Sequence, residues 1–246
     1  MATTYQSETW NTYRMDYANP HREIEPRERE IAEVEAALGA LCNAGLLPST
    51  EYDREKMLAM REAVRDLFEI PWTAISPRMQ RLLYAINAIR RPQNMLAAGV
   101  FCGNTFISNA GAAVGPGACY TARNLIGVEI RPEEAARAER NVRRIDPTGV
   151  ARVVAADAIE VVRDFPEQID LLYLDPDGGE EHRSVYLEVL RAGYDKLAPG
   201  ALVLAHNSLN GGAQMIPYLE FVRDPTHFRE SVNVILDVEG LEVSGR

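Results

Sequence analysis

From residue 93 onward, short apolar runs alternate with amphipathic stretches. NMLAAGV (94–100), LIGVEI (125–130), ARVVAAD (151–157), IDLLYLD (169–175) and GALVLAHN (200–207) each have the length and bounding turn residues of a strand. The residues between them read as helices over 105–114, 132–145, 158–165 and 184–197, with another over 215–222. SVNVILDV and GLEVSG, parted at Glu239-Gly240, predict a closing hairpin. Strand–helix alternation with continuous apolar strands predicts an α/β fold, a Rossmann-like, doubly wound sheet of seven strands with an antiparallel addition at its end.

The first part of the chain has a different rhythm. Residues 1–22 are polar and aromatic, carrying Tyr5, Trp10, Tyr13 and Tyr17. Residues 25–46 then place Ile31, Val34, Leu38 and Leu41 at helical steps, with Pro26 suited to the first turn and Gly45 to the stop. A second helix is predicted over 51–69, with Met57, Met60, Val64 and Leu67 on one face, and a third opens at Ser76-Pro77 and runs to Arg90. The expected division is an N-terminal aromatic and helical extension, 1–75, followed by a ligand-binding domain, 76–246.

Composition narrows the partners. A chain of 246 residues, 46% hydrophobic and 25% charged, is enough for one sizeable domain with an extension. No apolar run approaches the roughly 20 residues of a membrane helix, and the N-terminus lacks the pattern of a secretory signal. Cys42, Cys102 and Cys119 have no metal-type spacing and read as reduced thiols of a cytoplasmic protein. The net charge is −10, and the basic pairs Arg90-Arg91 and Arg143-Arg144 are short, so neither nucleic acid nor a membrane is an expected partner.

In a doubly wound sheet, ligands bind beyond the carboxyl ends of the strands, so the residues there carry the chemistry. Gly99 and Gly103 after the first of these strands allow a tight turn and close backbone approach. Glu129 ends the next strand, where an acid accepts both ribose hydroxyls, and Asp157-Ala158 follow the third, placed to meet an adenine edge. A turn glycine pair, a surface acid and a helix-capping Asp are the alternative readings of each feature alone.

From about Ser76 to Arg246 the chain resembles the small-molecule O-methyltransferases that include the catechol and caffeoyl-coenzyme A enzymes. Residues 169–212, IDLLYLDPDGGEEHRSVYLEVLRAGYDKLAPGALVLAHNSLNGG, follow that family's DxxFxDADKxxY…YLExxxxLLxPGGxxxxDNxLxxG pattern, and VILDVEGLEVSGR resembles its LPxGDGxxxxxK ending. The resemblance implies S-adenosylmethionine (SAM), with its adenosyl half at Glu129 and Asp157 and its methionine half over Gly99–Asn104. In the family a divalent cation is held by an Asp of the fourth strand and by a following Asp-Asn pair. Here Asp175 and Asn207 match two of those ligands, His206 replaces the remaining one, Gly178 replaces the family's lysine, and Ala97 replaces an acid of the first strand. Imidazole suits a hard cation poorly, so magnesium is not expected.

Asp175, Asp177, His206 and Asn207 are therefore the candidate catalytic group, with His206 a candidate base. Tyr13 and Tyr17 are expected either to close over SAM as an aromatic lid or to pack the extension onto the domain or a partner. Asn104 is either a ligand contact or a helix cap. The functions left in view are a metal-independent methyltransferase on a small molecule of specialised metabolism, a cyclase converting SAM to azetidine-2-carboxylate and methylthioadenosine, and a SAM-binding protein without catalysis. The DPDG at 175–178 lacks the second Pro and the aromatic of the Asp-Pro-Pro-Tyr signature of amino-methylating nucleic-acid enzymes. A homodimer is expected.

Overall fold

The structure is a computed structural model describing residues 3–72, 75–176 and 185–246. Its strands are β1 (Thr3–Gln6), β2 (Asn94–Ala98), β3 (Asn124–Glu129), β4 (Ala151–Ala155), β5 (Ile169–Leu174), β6 (Leu197–His206), β7 (Glu230–Ile235) and β8 (Leu241–Gly245). The helices are α1 (Arg27–Asn43), α2 (Arg54–Leu67), α3 (Pro77–Arg90), α4 (Asn104–Ala110), α5 (Pro132–Ile145), α6 (Ala158–Asp164), α7 (Val185–Gly193) and α8 (Ile216–Val222). The strands form one sheet in the order β1-β7-β8-β6-β5-β2-β3-β4, parallel except for β8, which runs against both β6 and β7. This is the doubly wound sheet expected, with eight strands where the pattern gave seven.

The additional strand is β1, which pairs parallel with β7 in the register Thr3↔Val232 to Gln6↔Ile235. Four mostly exposed polar residues bury too little on either face to print an apolar alternation, so the pattern hides it. Tyr5 is its partly buried member and packs on the core.

Alternation is plain where both faces are covered. In β2, Met95 and Ala97 face the core layer of α1, α3, α4 and α5, while Leu96 and Ala98 face the layer of α6, α7 and α8. Helix boundaries follow local chemistry. Ser76 accepts from Met79 N (3.2 Å) with Pro77 in the first turn of α3, and Asp53 accepts from Lys56 N (3.0 Å) at α2. Gly45, at φ +73°, donates to Cys42 O (2.9 Å) just beyond α1. The helix expected over 105–114 ends at Ala110, and a 3-10 turn, Gly115–Gly117, follows. There Gly111 abuts Met60 of α2, and a Cβ at that position would meet its Cε at 2.8 Å.

Candidate functional site

The strand order reverses between β2 and β5, so the crevice of this sheet opens between the loops that leave those strands. The two loops are joined by backbone: Asp175 N donates to Ala98 O, and Gly99 N donates to Val128 O, both at 2.9 Å. Gly99 has φ +77°, and a Cβ there would lie 2.1 Å from Asp175 O. Only glycine allows that approach, which sets the Asp175 backbone directly against the first loop. Gly103, at φ +89°, turns the same loop into α4, whose first residue is the buried Asn104.

Glu129 holds the loop between these glycines. It is 4% exposed, and its Oε2 accepts from Phe101 N at 2.9 Å. Phe101 is thereby kept at φ +47°, an uncommon conformation for a bulky residue. The other oxygen accepts from both N and Nε of Arg131 at 3.1 Å. The Phe101 ring stacks on half-exposed Trp72 (centroids 4.8 Å apart), with the Arg131 guanidinium 5.5 Å from its centroid. Asp157 is exposed and caps α6, accepting from Ile159 N at 2.7 Å, with Ala158 as the first residue of that helix.

Asp175 is the centre of a second cluster. Its Oδ1 accepts from Asn207 Nδ2 (2.8 Å) and Tyr186 OH (3.4 Å), and its Oδ2 accepts from Tyr173 OH (3.4 Å). Burial pushes both tyrosine hydroxyls well above their ordinary pKa, and the Asp175 charge adds to this, so they remain donors. Asn207 stands at φ +62°, a left-handed position that Asn tolerates better than most residues. His206 is 1% exposed, with Nδ1 3.4 Å from Asp175 Oδ2, an ion-pair distance; among the described residues neither ring nitrogen has an aligned hydrogen bond. Burial works against its protonation, but the charges of Asp175, Asp237 and Glu239 outweigh burial and raise its pKa.

These donors and charges do not suit a divalent metal. A hard cation needs free oxygen lone pairs, whereas both Asp175 oxygens face N–H and O–H donors, and Asn207 turns its amide NH₂ toward them. His206, drawn toward its positive form, stands where another ligand would be required. Asp177 and Gly178 lie outside the described residues.

The N-terminal aromatics part company. Tyr13 is 6% exposed beneath the Arg78 guanidinium, which sits 4.0 Å from its ring centroid. Arg78 also holds Glu25 through two bonds (2.7 and 2.6 Å), Ser7 Oγ and the Leu236 carbonyl, and so fastens the extension to the sheet. Tyr17 reaches the crevice end of the sheet, where its OH donates to Glu239 Oε1 at 2.9 Å in the β7–β8 connection. Of the expected site residues, Gly99, Gly103, Glu129 and Asp175 share the joined loops, and His206 and Asn207 adjoin Asp175. Trp72, Phe101, Arg131, Tyr173 and Tyr186 were not anticipated. An aromatic inside the loop between Gly99 and Gly103 was the one visible signal for Phe101.

The geometry agrees with known proteins. A model described as a methyltransferase domain matches residues 96–208. A catechol O-methyltransferase of Niastella koreensis is 24% identical over 165 residues, 65% of this chain and 69% of its own length. The O-methyltransferase from Bacillus cereus, solved in complex with SAH, superposes with a TM-score of 0.55 at 15% identity, covering 87% of this chain and 99% of that one. The O-methyltransferase TomG of Streptomyces achromogenes, involved in tomaymycin synthesis and solved with SAM, gives 0.56 at 18% identity over 90% and 98%. In sheet order, crevice and matched domain, the chain is similar to the class I SAM-dependent methyltransferases.

Proposed function

We propose that this protein is an enzyme that binds SAM in the crevice between β2 and β5 and transfers its methyl group to a small molecule without a divalent metal. The observation that carries the reading is Asp175, a carboxylate at the switch point whose oxygens are held by Asn207, Tyr173 and Tyr186 instead of being open to a cation. Gly99 and Gly103 bring backbone to the methionine half, and the Glu129 carboxylate addresses the ribose. An acceptor held in line with the methyl–sulfur bond gains most of its rate from positioning. Its heteroatom takes the methyl group, the C–S bond electrons leave with S-adenosylhomocysteine (SAH), and the acceptor proton passes to Asp175. His206, 3.4 Å behind Asp175, orients that carboxylate, and the Asp175 charge raises the imidazole pKa despite burial. Supplying SAM with a panel of phenols, amines and hydroxy acids tests this: acceptor-dependent SAH supports it, and no SAH with any acceptor overturns it.

A second reading has a specific support. Ala97, fully buried between its sheet neighbours Gly127 and Tyr173, removes the acid that the resembling family places there. Without that carboxylate nearby, the α-amino group of SAM loses one stabiliser of its protonated form. A neutral amine attacking the γ-carbon closes the four-membered ring of azetidine-2-carboxylate, breaks the γ-carbon–sulfur bond and expels methylthioadenosine, its proton passing to Asp175. Incubation with SAM alone separates the readings, because only cyclisation yields methylthioadenosine and azetidine-2-carboxylate in equal amounts without an acceptor.

A further inference from the structure

A cleft lies outside the crevice, between the segment around residues 20–27, the facing sides of α2 and α3, and Asn104 at the head of α4. It adjoins the cofactor loop only at Asn104, and a smaller apolar recess floored by Met57, Met60 and Tyr84 continues from it. Among the described residues, two polar atoms on its lining have no hydrogen-bond partner. Tyr13, 6% exposed, has a hydroxyl shielded from water and without a hydrogen-bond partner among the described residues. Arg61 spends Nη1 and Nη2 on Glu30 (2.9 and 2.8 Å), and Nη2 also on Pro77 O (2.8 Å), yet its Nε–H is left over and equally shielded.

Buried donors without acceptors are rare because each forfeits its hydrogen bond to water. Two on the walls of one cleft ask for an acceptor that the chain does not supply. Both offer N–H or O–H, and one belongs to a guanidinium, so the complementary group is anionic oxygen. The cleft is also lined by the acids Glu23 and Glu62 and by Arg22, Arg27 and Arg65, so it offers charges of both signs to a zwitterionic ligand.

We propose that this cleft binds the carboxylate of an α-amino acid, with Tyr13 Oη and Arg61 Nε as donors. The proposal rests partly on the reading above, since the amino-acid end of SAM, extending past Asn104, is one source of that group, and a free amino-acid acceptor is the other. Segment 20–27 forms the outer wall of this cleft.

The test uses the full-length protein and two variants, Tyr13→Phe and Arg61→Lys, titrated calorimetrically with SAH, with 5′-methylthioadenosine, which lacks the amino-acid end, and with free L-methionine. Tyr13→Phe removes only an unpaired hydroxyl, so its melting temperature stays level or rises. A roughly tenfold loss of SAH affinity in the variants, with methylthioadenosine binding unchanged, supports the site with SAM as its source. Unchanged SAH binding, with L-methionine binding present in the wild type and lost in Tyr13→Phe, supports it with a free amino acid as source. If no ligand's affinity depends on either substitution, the proposal is overturned. Should the wild type bind neither SAH nor methylthioadenosine, the SAM reading fails instead, and the L-methionine titration still decides the cleft.

Discussion

His206 Nδ1 stands 3.4 Å from Asp175 Oδ2, and the imidazole is sealed from solvent with Asp237 and Glu239 as its other acidic neighbours. The charge attraction raises its pKa above the ordinary 6.5 despite burial. A group whose pKa is higher when folded gives stability that is complete below the unfolded value and is lost as pH climbs through the folded one. The denaturation midpoint is therefore expected to fall as pH is raised from 6 through the region above 6.5. In His206→Asn that slope should vanish. Urea melts of both proteins across this range check it, and equal slopes would show that His206 is not the titrating group.

Asp175→Asn keeps the shape of the side chain but puts an amide NH₂ against at least one of the donors around it. Turnover of SAM is expected to fall by roughly 10²-fold or more, the range for loss of a group that handles a proton in the reaction. Circular dichroism and SAH titration separate this from unfolding or simple loss of binding. Activity within a few-fold of wild type would remove Asp175 from the chemistry.

Because the Asp175 oxygens already accept from Asn207, Tyr173 and Tyr186, chelation of divalent ions should leave turnover unchanged within twofold. Assays after EDTA treatment, with and without added magnesium, read this directly. Recovery of activity only on adding magnesium would mean that Asn207 flips its amide oxygen inward and that the carboxylate does bind metal.

What the sequence made legible follows from how the information is stored. The parallel strands β2, β3 and β5 are buried on both faces, so each prints a continuous apolar run, and α5 from Pro132 to Ile145 carries its own start and stop residues. Gly99, Gly103, Glu129 and Asp175 sit at strand ends, where position alone suggests a role. Strand β1 is invisible because only Tyr5 turns inward, and its partner β7 lies more than 220 residues later. The fate of Tyr13 depended on Arg78, a buried guanidinium collecting Glu25, Ser7, Thr9 and Leu236 from three separate segments. Tyr173 and Tyr186 read as core aromatics, which they also are; they lie in the cores on opposite faces of the sheet, and their hydroxyls meet only at Asp175, which follows the end of β5.

Two glycines make a paired test of backbone geometry. Gly99→Ala forces a Cβ to within 2.1 Å of Asp175 O at φ +77°, so the two loops of the crevice must separate. The strain alone is of the order of 1–3 kcal/mol, and SAH binding should be lost with it. Gly39→Ala, inside α1 with nothing within 4 Å of the new Cβ, should stabilise by roughly 0.5–1 kcal/mol and leave binding alone. Differential denaturation of the two variants reads both signs, and a neutral Gly99→Ala would mean that the loops are not held as closely as the backbone bonds indicate.

Glu129 has two distinguishable jobs. As a pin, it accepts Phe101 N on one oxygen and Arg131 N and Nε on the other, and Glu129→Gln must turn an NH₂ group against one of those donors. That costs roughly 1–3 kcal/mol of stability, visible in a melt without ligand. As a ribose acceptor, it would also give the wild type a preference for adenosine over 2′-deoxyadenosine, since only the former offers both hydroxyls. In Glu129→Gln, assayed where the protein is fully folded, adenosine and SAH should weaken by the same factor, because they share the ribose, and the preference over 2′-deoxyadenosine should disappear. A variant that loses stability but keeps that preference would leave Glu129 as the clasp of the Phe101 loop and nothing more, and the ribose would have to be read by another side chain of the crevice.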